Sequence, residues 1–154
     1  MKLFTRVLLL ALVAVLLCTS LVSCGKKKLE GEYVSDGGDS VMNGHYVSYV
    51  FDGKTFSFSE YKGYQKISAN SVSGEYELEV IEQEDEEKQL EDEENGITRG
   101  NLILTWTDAS GATVTRTLPF VHDDYEGTLV VTGHPLVEGD YGAINFHLLD
   151  ADEE

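Results

Sequence analysis

Residues 72–80 constrain this chain more than any other stretch. Val72, Gly74, Tyr76, Leu78 and Val80 fall on one face of an extended strand, and Ser73, Glu75, Glu77 and Glu79 fall on the other. A period of two held over nine residues describes a strand with one buried face and one wet face. The alternation returns in Thr55-Phe56-Ser57-Phe58-Ser59, in Leu102, Leu104 and Trp106, and in Ile144, Phe146 and Leu148.

The connections agree with strands. Phe51-Asp52-Gly53-Lys54 sets an Asp-Gly pair between two alternating runs, the strongest short-range hairpin signal. Asp108-Ala109-Ser110-Gly111 gives a slightly longer loop before residues 113–118. Eight strands are expected, near 29–34, 45–51, 55–61, 72–81, 101–107, 113–121, 128–132 and 143–149. Helical periodicity is absent outside one acidic run. These features predict an all-β fold, an antiparallel meander of about eight strands closed into a barrel, with a β-sandwich as the alternative. Closure is favoured because it removes exposed strand edges. Whether the tail from Gly133 closes the barrel stays open at this stage.

The N-terminus reads as an export leader. Lys2 and Arg6 precede an apolar run over residues 7–17, which falls short of the roughly 20 residues of a spanning helix. Leu21-Val22-Ser23-Cys24 resembles the lipobox of bacterial lipoproteins, in which the cysteine is acylated and becomes the first mature residue. The resemblance implies a signal peptide over residues 1–23, lipidation at Cys24 and a lipid-anchored place on the extracytoplasmic face of the cell membrane. Residues 24–28 would form the lipidated, basic stem, and residues 29–154 a single domain. Five extended residues reach only about 17 Å, so that domain would ride close to the bilayer. Lys26, Lys27 and Lys28 could add attraction to anionic head groups.

Charge and cysteine content narrow the classes. Without the leader, nine basic residues face 28 acidic ones, a net charge of −19; beyond the stem, six face 28, a net of −22. Such a surface argues against nucleic-acid binding. Cys18 lies in the leader and Cys24 is the acylation candidate, so no intramolecular disulfide is expected and the core must hold the fold alone. A monomer is expected.

Leu29-Glu30-Gly31-Glu32-Tyr33 is like the entry to the first strand of lipocalin-like barrels. Together with Tyr49-Val50-Phe51-Asp52-Gly53-Lys54-Thr55-Phe56, Ser73-Gly74-Glu75-Tyr76-Glu77-Leu78 and Leu102-Ile103-Leu104-Thr105-Trp106, it resembles the small lipocalin-like lipoproteins of Gram-positive bacteria. The likeness covers roughly residues 29–121 and implies fold and location. It supplies no catalytic residues. The chain departs from the simplest members of that group in its acidic insertion and its tail after Val121.

Few segments point to chemistry. Residues 82–94 carry nine carboxylates in thirteen positions, opposed only by Lys88. A block of this kind reads as a solvated, self-repelling loop over residues 82–96, and it lacks the Asp-x-Asp-x-Asp-Gly spacing of a calcium site. His122-Asp123-Asp124 reads as a turn; His45, His134 and His147 show no metal-ligand spacing. No nucleophile motif or phosphate-cradling loop occurs, so no enzymatic activity, cofactor or metal is expected. Arg116 shares the face of Val114, Leu118 and Phe120 and could enter the barrel, with Trp106 as its stacking partner and an anionic ligand as its guest. Tyr61 and Tyr64 fall in an expected loop suited to sugar or protein contacts, and Tyr76 would line the interior.

Two functions follow as expectations. One is a surface interaction module using loops and tyrosines for an envelope protein. The other is carriage of a small apolar or amphipathic ligand in the barrel. The large inward residues, from Phe56 to Trp106, shift the balance toward a packed interior and the first.

Overall fold

The computed structural model describes residues 27–35, 44–139 and 141–149. The expected leader, Cys24 and the last five residues lie outside the described residues. Eight strands follow in order: β1 (Gly31–Ser35), β2 (His45–Asp52), β3 (Thr55–Lys62), β4 (Gln65–Val80), β5 (Ile97–Thr107), β6 (Thr113–Asp123), β7 (Thr128–Thr132) and β8 (Ala143–Leu148). Each pairs antiparallel with its successor, and β8 returns to β1 through Tyr33 opposite Leu148. The fold is a closed barrel, not a sandwich. The tail closes it.

The core is the inner faces of these strands. Tyr49 sits fully buried, with ring centroids 5.5 Å from Phe51, 4.9 Å from Phe58 and 5.2 Å from Phe146. Phe51 meets Tyr76 at 4.9 Å, and Phe56 meets Trp106 edge-on at 6.4 Å. Leu102, Leu104, Leu129 and Val131 complete the packing with almost no exposure. Ring pairs at these separations gain about 0.5–1.5 kcal/mol each beyond their burial, so the aromatics both fill the barrel and bind its strands.

Two glycines let the barrel bend. β4 pairs with β3 through its first part and with β5 from Glu75 onward. A Cβ on Gly74 would lie 2.0 Å from the Thr105 carbonyl oxygen, and one on Gly100 would lie 2.0 Å from the Glu79 carbonyl oxygen. Only glycine admits such an approach. The start of β4 also differs from expectation. Tyr61 lies on β3, and β4 begins at Gln65, because Ser68, Ala69 and Asn70 bulge out between the pairs Ser59–Ser71 and Glu60–Ile67. The Asn70 amide donates to Glu60 at 2.6 Å.

Successive connections of a meander alternate between the two ends of the barrel. One end receives residues 27–30, the β2–β3 turn, the β4–β5 connection and the β6–β7 turn; we call it the stem end. The far end carries the β3–β4 and β5–β6 turns and the β7–β8 connection. Both are stoppered. At the stem end Leu29 is buried: its N–H donates to the Tyr76 hydroxyl at 3.1 Å, and that hydroxyl donates to the Leu29 carbonyl at 2.7 Å. At the far end His134 and Pro135 are buried, and the His134 ring meets Phe58 edge-on at 4.9 Å.

The acidic run corrects the expected solvated loop. It forms helix α1 (Glu86–Glu94), although none of its residues is buried. The Asp85 side chain caps it by accepting from the Glu87 N–H at 3.0 Å, and Glu86 and Glu87 suit the positive end of the helix dipole. Asp92 ties it to β5 by accepting from both Arg99 Nε at 2.8 Å and Nη2 at 3.1 Å. Cap, dipole and fork together offset the repulsion that favoured a loop.

Candidate functional site

The barrel does not gather the expected site residues. Tyr76 faces the core and clasps Leu29 at the stem end. Trp106 packs edge-on against Phe56. Arg116 stands opposite Leu104 in the β5–β6 register, on the inner-facing side near the far mouth, and its head turns outward. Its Nη2 donates to Glu138 at 2.7 Å, with the arginine side chain 31% and the glutamate 80% exposed. The stack expected between Arg116 and Trp106 is thus replaced by an ion pair at the rim, where the guanidinium keeps water and a carboxylate within reach. Tyr61 and Tyr64 lie at the same end, on β3 and in the β3–β4 turn.

A tyrosine face stands out there. Tyr46 on β2 and Tyr61 on β3 are register partners, and their rings stack at 4.7 Å with an interplanar angle of 1°. Burial and the neighbouring Tyr61 hydroxyl raise the Tyr46 pKa, which keeps that phenol neutral. Tyr64 projects beyond the pair with 73% of its surface exposed. Beside them His45 lies 3.5 Å from Glu60. Flat, rigid, amphipathic rings of this kind offer contact area at little cost in conformational entropy. The pairing of Tyr46 with Tyr61 was not legible: a turn centred on Asp52-Gly53 would set Tyr46 opposite Ser59, and the observed two-residue turn at Gly53-Lys54 shifts the register to Tyr61.

A second polar cluster holds the stem end. The Tyr33 hydroxyl lies 2.9 Å from His122 Nε2, His122 Nδ1 lies 3.0 Å from Asp124 Oδ1, and Lys27 pairs with the other Asp124 oxygen. Burial lowers the His122 pKa, against the pull of Asp124, so the ring is neutral and accepts from Tyr33 through Nε2. Burial pushes the Tyr33 phenol up to about 12. The chain Tyr33–His122–Asp124–Lys27 has the order of a proton relay, yet both rings are almost fully enclosed. What it does is fasten residues 27–30 to the barrel. Asp123, the other acid of this triplet, accepts from the Tyr125 and Glu126 N–H groups and makes the expected turn. No spacing rule connects Tyr33 with His122, so this cluster was not legible in the sequence.

Among the described residues, no three His, Cys, Asp or Glu side chains converge as a metal site would need, and no helix is long and apolar enough to cross a membrane. Open depressions lie on the surface of the described residues. One of about 420 Å³ lies between Lys28, Lys54 and Tyr76; one of about 530 Å³ lies beside α1; one of about 330 Å³ lies at the far mouth beside Arg116. Compared with known proteins, this chain matches no family model, no curated protein and no solved structure.

Proposed function

We propose that this protein is a lipid-anchored extracytoplasmic module that contacts an envelope protein through the far end of its barrel, with no enzymatic activity of its own. The observation that carries the reading is the stoppered, ring-filled interior. With Phe51, Phe58 and Phe146 all packed on the Tyr49 ring and both ends closed by Leu29 and by His134 and Pro135, the outer surface is what remains for recognition. Acylation at Cys24 would set the stem end against the bilayer and turn the Tyr46–Tyr61–Tyr64 face outward. Aromatic faces of this kind are enriched at protein contacts.

Tyr64 and Tyr125 make a matched pair for a test, because each is 73% exposed and they stand at opposite ends. A photo-crosslinking residue at position 64 of the full chain, in its native membrane, should capture a discrete envelope protein, and the same residue at position 125 should not. Capture at 125 alone, or at neither, would refute the reading. A Cys24→Ser chain should leave the membrane fraction.

One observation favours the carriage reading. The Tyr49 hydroxyl is buried in the core with no hydrogen-bond partner, and buried polar groups normally have one. A small polar-headed guest in that core would supply it. Native mass spectrometry of the purified chain would reveal such a guest as added mass.

A further inference from the structure

The two arginines on the barrel are held differently, and the difference marks a site. Arg99 presents the Nε–Nη2 edge of its guanidinium to Asp92, which takes both hydrogens. Arg116 presents the same edge, but Glu138 engages only Nη2. Its Nε is buried and has no partner. A guanidinium prefers a planar carboxylate across two parallel N–H groups, and a buried, unmet N–H loses its solvation with nothing in return.

We propose that the far mouth of the barrel binds a carboxylate, for which Glu138 is the resident stand-in. The depression beside Arg116 has a volume of about 330 Å³ and is lined by Thr117, Thr132, His134, Glu138 and Tyr141 as well as Arg116. An incoming carboxylate would displace Glu138, span Nε and Nη2, and lie beside the Tyr141 ring. Tyr141 is half exposed, and its ring stands 4.7 Å from that of His134, so an aromatic or aliphatic body on the guest has a flat surface to lie on. Glu138 is well suited to leave, since its side chain is 80% exposed.

The net charge of the chain does not forbid an anionic guest. The nine carboxylates of residues 82–94 belong to the β4–β5 connection at the stem end. Strands of about eight residues at 3.3 Å each set the ends roughly 25 Å apart, several Debye lengths at physiological salt. The site is distinct from the tyrosine face and does not depend on the function proposed for it.

The arginine Nε–H resonances provide the readout, because the chain holds only Arg6, Arg99 and Arg116. The full-length chain in detergent micelles would be titrated with benzoate and, separately, with a blocked tripeptide bearing one glutamate side chain. The Arg116 Nε–H signal should shift saturably while Arg99 stays in place, and Arg116→Lys should remove the moving signal. Exposed ion pairs are worth about 0.2–1 kcal/mol, so Glu138→Gln should tighten binding by up to roughly fivefold. Response to benzoate alone would identify a free small carboxylate, and response to the peptide alone a carboxylate carried on a partner chain. An Arg116 signal unmoved by both probes, or an affinity unchanged in Glu138→Gln, overturns the proposal.

Discussion

Polar side chains facing the barrel core meet different ends, and the partner decides which. Tyr76 spends its hydroxyl on the Leu29 backbone, His122 sets its two ring nitrogens against Tyr33 and Asp124, and His134 accepts the Leu136 N–H through Nδ1 at 3.1 Å. His134 is the most informative of these. Burial lowers its pKa below the ordinary 6.5, and protonation at Nδ1 would also break the bond to Leu136. The unfolded chain therefore takes up the proton first as pH falls, so the stability held above about 6.5 is lost on acidification through the lower folded value. A His134→Gln chain has no such proton to take up. The difference in melting temperature between the two should be constant above about pH 7 and should move against the native chain toward pH 5. A difference independent of pH would mean that burial leaves the His134 pKa unshifted, and one that moves in favour of the native chain toward pH 5 would mean that the ring is charged in the fold.

At the scale of elements, β4 shows how sequence and tertiary contact divide the work. Its alternation from Val72 to Val80 was plain, and the structure keeps Tyr76 and Leu78 against the core with Glu75, Glu77 and Glu79 outside. Its length was not legible, because the bulge at Ser68, Ala69 and Asn70 breaks the period before pairing resumes at Ile67. Gly74 reads as a small gap in a hydrophobic face; only the neighbouring strand shows that the gap admits the Thr105 carbonyl. Gly74→Ala should therefore cost at least about 3 kcal/mol in chemical denaturation, more than ordinary overpacking. A loss near 1 kcal/mol would mean that β4 and β5 can part without penalty. Helix α1 is the opposite case. Composition alone argued for a loop, and the cap at Asp85 and the fork from Arg99 decided for a helix.

Over the whole molecule, the formal charge of −17 works against the compact state. In α1, Glu91 to Glu94 also crowd the negative end of the helix dipole with no basic residue in the last turn. Sodium chloride should therefore raise the melting temperature by a few degrees between about 0.1 M and 1 M, as the Debye length falls from roughly 10 to 3 Å. A melting temperature that falls with salt would mean that the ion pairs at Arg99, Arg116 and Lys27 outweigh the repulsion.

What this sequence determined by itself was local: eight strands, their inward faces, two hairpins, and with them an antiparallel all-β meander. Each follows from periodicity or from a turn that only certain residues can make, and neither requires knowledge of distant contacts. Tertiary structure alone decided the rest. That β8 meets β1, that Leu29 and His134 stopper the ends, that Tyr33 reaches His122 across 89 positions and that Arg116 finds Glu138 rather than Trp106 all depend on closure. Closing a barrel brings together residues far apart in the chain, and no period of two or 3.6 records which they will be.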